Sequence, residues 1–273
     1  MKWVPAPTPI NENRRAQATE KTGIIGTDQV YLFDIYLEIA KDISGYEGGS
    51  FSLYDSKDQC SISCIGLPKE THHKNDKSDS ICSYVLLEKN PLIVFDLKKH
   101  DIFKYHQAVT SGMCHSYCGF PVRNKDGYAL GTFCMLNFTE VKEMSSEKIE
   151  LIEKLVSRLA LQIDTQTEQK EITSQKISKS IDIFIDNYKD FTLSDYKNFI
   201  DICSGLNLPE ENATNLINAN LCEIRNMTVM LSSEGNELQE KMNIVTKIHN
   251  QIKVEGNEAN SLIDNALDKL GDL

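Results

Sequence analysis

The sequence has no long hydrophobic run. In the 273 residues, no apolar stretch approaches the roughly 18 consecutive residues of a membrane-spanning helix. The opening residues, MKWVPAPTPIN, contain one lysine followed by prolines and lack the apolar core of a signal peptide. We therefore expect a cytoplasmic protein that does not enter the membrane. Its 40% hydrophobic and 25% charged residues are typical of a globular protein.

Basic residues are also scarce. The chain has 29 Lys and Arg against 40 Asp and Glu, which gives a net charge of −11. Nucleic-acid binding depends on basic side chains that face phosphates, so we expect no nucleic-acid partner. The helix-turn-helix rhythm of residues 199–217 does not change this expectation, because its second helix begins Pro209-Glu210-Glu211 without an early basic residue.

Motifs of nucleotide chemistry are missing as well. We find no glycine-rich ATP loop, no cyclase motif and no kinase block in the sequence. His249 is a lone histidine on an amphipathic stretch, and no phosphoacceptor motif stands beside it. The sequence therefore indicates a non-enzymatic protein, and it does not reveal a cofactor.

Cysteine, by contrast, is plentiful. In a long cytosolic chain, free buried thiols are commoner than a disulfide framework. Six of the eight fall between residues 60 and 134. The cysteines are Cys60, Cys64, Cys82, Cys114, Cys118, Cys134, Cys203 and Cys222.

Two special roles for these cysteines are open to test. Cys114 and Cys118 would lie roughly 13 Å apart on an extended strand, which is too far for one zinc ion, so we predict no metal site. Thiol redox chemistry is the alternative to a sensory function, with Cys82, Cys114 and Cys118 as candidates. Cys82 lies near the start of a predicted helix, where a thiolate is favoured.

The first half of the chain alternates between helical and strand patterns. Helices are predicted over 11–23, 26–45 and 80–90, and residues 100–112 are predicted to form a surface helix or loop. Strands are predicted over 49–55, 59–66, 91–97, 115–122 and 128–137, with a loop over 67–79. Asp126-Gly127 supplies the tight turn of the last hairpin. This pattern predicts a mixed α+β domain.

The second half has a helical period throughout. Apolar residues recur every three or four positions from Ile149 to Ile163, and the stripe resumes between Ile177 and Tyr188. Thr192 is predicted to cap a helix over 193–204. Further helices are predicted over about 209–233, between Gly235 and Gly256, and over 257–271, so we expect an all-α C-terminal domain.

Three segments, in order, carry a resemblance to a known family. They are PINENRRAQATEKTGIIGTDQVYLFDIYLEIA, SICSYVLLEKNPLIVFDLKKHDIFKYHQAVTSG and YCGFPVRNKDGYALGTFCMLN. The last contains a Gly-x-Pro, an Asp-Gly turn and a Gly-Thr-x-Cys strand. Together they make residues 7–165 resemble a GAF domain of the bacterial sensory type. Residues 170–273 resemble no family that we can name.

The resemblance implies an antiparallel sheet with helices 27–44 and 146–164 on one face. Residues 66–112 would then close a small-molecule pocket over the other face. We expect the ligand-binding residues to come from Cys82, Asp96, His100, Phe103, Tyr117 and Cys134. For two of these a structural role is also open: Asp96 could cap the following turn, and Phe103 could belong to the core.

These observations lead to one hypothesis. A GAF-like domain over 7–165 senses a small ligand or docks a partner, and a connecting helix over 166–192 transmits its state. A helical interaction domain over 193–273 then engages a protein partner through residues 170–273. The resemblance also implies a homodimer.

Overall fold

The computed structural model describes residues 2–27, 32–67 and 74–243. The chain divides into two compact units, residues 1–168 and 169–273, and the division falls inside one long helix. Among the described residues, no helix combines the length and the apolar character needed to cross a membrane.

The first unit is built around a six-stranded antiparallel sheet with the order β3-β2-β1-β6-β5-β4. Its strands are β1 (Gly48–Tyr54), β2 (Asp58–Ile65), β3 (Lys74–Asp76), β4 (Leu92–Val94), β5 (Ser116–Arg123) and β6 (Ala129–Asn137). Its helices are α1 (Glu12–Lys21), α2 (Asp34–Ser44), α3 (Gln107–Thr110) and the first part of α4 (Ser146–Asn187). Short 3-10 helices cover Lys77–Asp79, Ile81–Leu87, Leu97–Lys99 and Phe103–Tyr105.

The predicted α+β class and the predicted hairpin of β5 and β6 are confirmed. Asp126-Gly127 lies in the β5–β6 turn, where Gly127 has a φ of 83°, a value that glycine adopts without strain. One detail of the prediction is wrong, because the predicted loop over 67–79 contains β3. The short helix predicted over 80–90 is present as the 3-10 helix Ile81–Leu87. Helix α2 begins at Asp34, later than predicted, although residues 28–31 lie outside the described part of the chain.

One face of the sheet is covered by α2 and α4, as the resemblance implied. Strand residues that point to this face are large and apolar, and they pack against the apolar stripes of both helices. The resulting core contains Phe33, Leu37, Ala40, Phe51, Leu53, Phe120, Phe133, Met135, Ile152, Val156, Leu159 and Ile163. Burial of this hydrocarbon surface is the main source of stability for the first unit.

The short helices over 77–110 cover the opposite face. Ile81, Val85, Leu97 and Phe103 form a second, smaller apolar cluster there with residues of β5 and β6. The predicted two-sided arrangement of the domain is therefore correct.

Arg15 fixes α1 to the end of the sheet. Its side chain is only 1% exposed, and its guanidinium donates to the carboxylate of Glu12 at 2.7 and 2.9 Å. The same group donates to the backbone carbonyls of Tyr54 and Asp55, both at 2.8 Å. A buried guanidinium needs such partners, because an unpaired buried charge is costly.

The second unit contains the last part of α4 together with α5 (Leu193–Cys203), α6 (Glu210–Asn218) and α7 (Ser233–Lys241). The predicted capping box is confirmed: Thr192 Oγ1 accepts from the backbone N–H of Asp195, whose carboxylate accepts from the backbone N–H of Thr192. Apolar side chains from all of these helices form a separate core around Phe184, Phe199 and Leu216.

Contrary to the prediction, the second unit is not all-helical. In place of one helix over about 209–233, α6 is followed by a hairpin of β7 (Cys222–Arg225) and β8 (Thr228–Leu231). Asn226 and Met227 form its two-residue turn with φ values of 51° and 60°. Methionine rarely adopts this conformation, and it stands here where such a turn usually has glycine. The usual Asn-Gly signal of the turn is therefore missing from the sequence. The predicted helix over 257–271 lies outside the described residues.

Candidate functional site

The sheet face beneath the short helices carries hydroxyl and thiol groups. Because side chains alternate along a strand, Ser50, Ser52 and Tyr54 of β1 point away from the apolar core that contains Phe51 and Leu53. On β6, Cys134 lies directly opposite Ser50, and Thr132 lies directly opposite Ser52. Tyr117 of β5 completes this set, which we call the polar face: Ser50, Ser52, Tyr54, Tyr117, Thr132 and Cys134.

Three hydroxyls of the polar face make no hydrogen bond of normal distance and angle, although those of Tyr117 and Thr132 lie near the Cys82 thiol and help to lower its pKa. They belong to Tyr54, Tyr117 and Thr132, whose side chains are 0–1% exposed. Burial raises the pKa of both tyrosines well above the usual value, so both stay protonated. A buried polar group without a partner costs about 1–3 kcal/mol, so this arrangement is expensive for the folded protein. Such hydroxyls are available to the polar atoms of a ligand.

Cys82 meets the polar face from above. Ser80 Oγ accepts from the backbone N–H of Cys82 at 3.1 Å and so caps the 3-10 helix Ile81–Leu87. The Sγ atom of Cys82 lies 3.7 Å from the Sγ atom of Cys134, which in turn lies 3.2 Å from the hydroxyl of Ser50. Among the described residues, no group of three or more His, Cys, Asp or Glu side chains is close enough to hold a metal ion.

The glycine of the Gly-x-Pro motif allows close packing on the polar face. Gly119 of β5 lies opposite Cys134 of β6. A Cβ atom at position 119 would overlap the hydroxyl of Tyr117 and would approach Cγ2 of Val85 to 2.6 Å. Glycine therefore allows the 3-10 helix Ile81–Leu87 and Tyr117 to lie close to the strand.

An aromatic group covers the outer side of the short helices. Trp3 packs edge-on to Tyr84 and His106, with ring centroids 6.0 and 4.6 Å apart. Phe103 packs against Tyr84 at 5.1 Å and stacks on His100 at 4.0 Å. The indole N–H of Trp3 donates to the carbonyl of Ser78, and the hydroxyl of Tyr84 donates to the carbonyl of Val4. The N-terminal segment is thus fixed over this side of the domain.

The structure brings together three of the six predicted ligand-binding residues: Cys82, Tyr117 and Cys134. Phe103 lies in the apolar cluster and His100 in the aromatic group, where its Nδ1 atom accepts from the backbone N–H of Phe103. Burial lowers the pKa of His100.

Asp96 lies apart from the polar face. Its carboxylate accepts from the backbone N–H of Lys98 and pairs with Lys99 at 3.0 Å. The hydrogen bond from Lys99 lowers the pKa of Asp96. Of the two roles left open for Asp96, the structure places it in the capping role.

The redox candidates lie on different faces of the sheet. Cys118 belongs to the helix-covered core, and its thiol contacts the hydroxyl of Tyr46 at 3.4 Å. The sheet therefore separates Cys118 from Cys82. Cys114 is buried on the side of Cys82, with its thiol 3.5 Å from the carbonyl of Ser116, and burial raises its pKa to about 12.

Sequence reasoning missed several residues of the site. Ser50, Ser52 and Tyr54 were assigned to a strand, but the hydroxyl groups at alternate positions of SFSLY were not interpreted as one polar face. That alternation was the available signal for it. Trp3 and Tyr84 lie far apart in the sequence, and no local pattern connects them.

The family comparison agrees with this architecture. Residues 28–163 match the family model of the GAF domain. The chain therefore contains a GAF domain, a member of a family of sensory and regulatory domains in signal-transduction proteins. No curated protein shows significant sequence similarity to the chain.

Several solved structures are similar to part of the chain. The GAF domain of an Acinetobacter phosphoenolpyruvate-protein phosphotransferase is 14% identical, with a TM-score of 0.43, and the match covers 59% of this chain and 93% of that one. The GAF-B domain of DevS from Mycobacterium smegmatis is 14% identical, with a TM-score of 0.43 and coverages of 53% and 99%. A type II free methionine-R-sulfoxide reductase from Thermoplasma acidophilum is 14% identical, with a TM-score of 0.41 and coverages of 51% and 92%.

Proposed function

We propose that this chain is a non-enzymatic regulatory component of a signalling system, and that its GAF domain binds a small molecule on the polar face. The observation that carries the proposal is the set of three buried hydroxyls without partners, on Tyr54, Tyr117 and Thr132. They lie in a domain whose family is sensory and regulatory. A ligand with matching polar atoms would offset the cost of burying them.

The chemistry of the polar face favours a small, uncharged ligand. Its side chains are hydroxyls and thiols, which donate and accept hydrogen bonds without carrying a formal charge when protonated. Burial of a charged ligand there would require a compensating charge. Ring and aliphatic groups of Val85, Leu86 and Phe103 surround this region and would contact the apolar part of the ligand.

Transmission of the signal is proposed to run through α4. The first part of this 42-residue helix packs on the sheet through Ile152, Val156 and Leu159, and its last part contributes Ile181 and Phe184 to the core of the second unit. A ligand can shift the equilibrium between two conformations of this helix only by as much as its affinities for the two conformations differ. The second unit is proposed to bind a protein partner, and the protein is proposed to act as a homodimer.

A ligand screen with two matched tyrosine variants tests the binding proposal. Native mass spectrometry of the purified full chain and a thermal-shift screen of uncharged metabolites identify compounds that bind and raise the melting temperature. Tyr117→Phe should weaken binding of such a compound by about tenfold, since one hydrogen bond is lost. Tyr46→Phe, on the helix-covered face, should leave binding unchanged.

Two results would contradict the proposal. One is a screen in which no uncharged compound binds to the protein. The other is a compound whose affinity falls equally in both tyrosine variants, because that compound would not be recognised by the polar face.

A further inference from the structure

Two cysteines that lie 52 positions apart in the sequence meet on the polar face. The sulfur atoms of Cys82 and Cys134 are 3.7 Å apart, and a disulfide bond would bring them to about 2.05 Å. Cys82 is carried by a short 3-10 helix and is partly exposed, whereas Cys134 is buried in the central strand β6. Cys82 is therefore the more exposed residue of the two, and the thiol of Cys134 lies beside its own.

The surroundings make the two thiols chemically unequal. The hydrogen bond with Cys134 lowers the pKa of Cys82 to about 7, against the opposing effect of burial. The same interaction raises the pKa of Cys134. Near neutral pH, Cys82 is therefore the more readily deprotonated and the more nucleophilic of the two, and Cys134 remains a protonated thiol next to it.

We propose that Cys82 and Cys134 form a reversible disulfide in response to hydrogen peroxide. The thiolate of Cys82 attacks one oxygen of the peroxide, the O–O bond breaks, and the departing hydroxide takes up a proton to give water and a sulfenic acid on Cys82. The sulfur of Cys134 then attacks the sulfur of Cys82. The S–S bond forms, the S–O bond breaks, and the hydroxyl group leaves with the proton of Cys134 as a second water.

The overall change is balanced. Two thiols lose two electrons and two protons, and one peroxide molecule is reduced to two waters. A small dithiol reductant, which is oxidised to its own disulfide, returns the pair to the thiol form. This chemistry requires no bound small molecule, so it is independent of the proposed ligand binding.

The new bond would connect a short helix to the centre of the sheet. It would tie the 3-10 helix Ile81–Leu87 to β6 at the position opposite Gly119 and Ser50. Tyr117 and Thr132 lie beside these residues, so the disulfide would change access to their hydroxyls. Oxidation would thereby regulate the polar face itself.

Peptide mapping of the full chain tests the proposal. The folded protein is treated with graded hydrogen peroxide, digested without reduction and analysed by mass spectrometry. We expect a cross-linked peptide pair containing residues 82 and 134, which disappears after treatment with dithiothreitol. The rate of its formation should rise about tenfold per pH unit below pH 7 and level off above it, because the pKa of Cys82 is lowered to about 7.

Cysteine variants assign the roles. Cys82→Ser should abolish the cross-link, and Cys134→Ser should leave a sulfenic acid on Cys82 that dimedone traps. Cys118→Ser is the matched control, because Cys118 lies on the opposite face and its removal should leave the cross-link unchanged. If Cys134→Ser does not fold, Cys134→Ala replaces it. The peptide map of the protein without substitutions tests for the cross-link independently of either variant.

The proposal is overturned if the folded protein forms no linkage between residues 82 and 134 at any peroxide concentration. It is also overturned if Cys118→Ser removes the linkage as effectively as Cys82→Ser does. A protein that forms the linkage but binds no compound in the screen would support this inference and contradict the proposed ligand binding.

Discussion

The two faces of the central sheet are built from the same strands but have opposite chemistry. On the helix-covered face, Phe51, Phe120 and Phe133 pack into a continuous hydrocarbon core. On the polar face, the neighbouring positions of the same strands carry hydroxyls and thiols, three of them hydroxyls without partners. Both faces are buried to a similar degree. The degree of burial therefore does not distinguish the two faces. They differ in whether their buried polar groups have hydrogen-bond partners.

This difference assigns different roles to the two faces. Hydrocarbon burial stabilises the fold by about 25 cal/mol per Å² of apolar surface. Buried hydroxyls without partners act against folding, and such destabilising features are commonly retained at functional sites. We infer that the helix-covered face supports the domain and that the polar face is where the domain acts.

The largest expected effect is on the helix-covered face. Phe133→Ala removes a fully buried ring from the core and should lower the free energy of unfolding by about 3–5 kcal/mol. Urea denaturation followed by circular dichroism measures this change. Thr132→Val is the neighbouring control on the polar face, and it should change stability by no more than about 1 kcal/mol, since its hydroxyl has no partner to lose.

Equal losses in the two variants would remove the distinction between the faces. The same would follow if Thr132→Val were the more destabilising of the two, because the hydroxyl would then have a structural partner.

A smaller effect is expected from adding a methyl group at Gly119. Gly119→Ala places a methyl group against the hydroxyl of Tyr117 and against Val85, so it should cost about 1–3 kcal/mol. The double variant Gly119→Ala/Tyr117→Phe should recover part of this loss, because the nearest clashing atom is then absent. Thermal denaturation of the single and double variants measures the recovery. If the double variant loses more stability than the two single variants lose together, the Tyr117 hydroxyl is not the group that excludes a side chain at position 119.

Much of the fold could be predicted from local sequence patterns. Asp126-Gly127, the stripe from Ile149 to Ile163 and the Thr192 cap each act within a few residues, so their signals are visible in the sequence. The hairpin at Asn226-Met227 could not be predicted, because its second turn residue is unfavourable for the left-handed conformation that it adopts.

The candidate site was only partly accessible to such reasoning. Its predicted members Cys82, Tyr117 and Cys134 came from the resemblance to the GAF family, and the contact between the two thiols depends on the approach of a 3-10 helix to a strand 52 positions away. Asp96 shows the converse, since its local capping role was visible in the sequence and the structure places it there. Contacts between distant elements are set by packing, which no local pattern encodes.

The smallest expected effect is also the sharpest test, because it differs in sign between the faces. The hydroxyl of Tyr46 donates to the carbonyl of Lys142 at 2.7 Å, so Tyr46→Phe should lower the free energy of unfolding by about 1 kcal/mol. The hydroxyl of Tyr117 has no partner, so Tyr117→Phe should leave stability unchanged or raise it by up to about 1 kcal/mol. Urea denaturation of both variants in the same buffer provides the comparison. A loss of stability in Tyr117→Phe as large as that in Tyr46→Phe would mean that the Tyr117 hydroxyl is satisfied in the folded protein, and the polar face would then be a second core and not a binding surface.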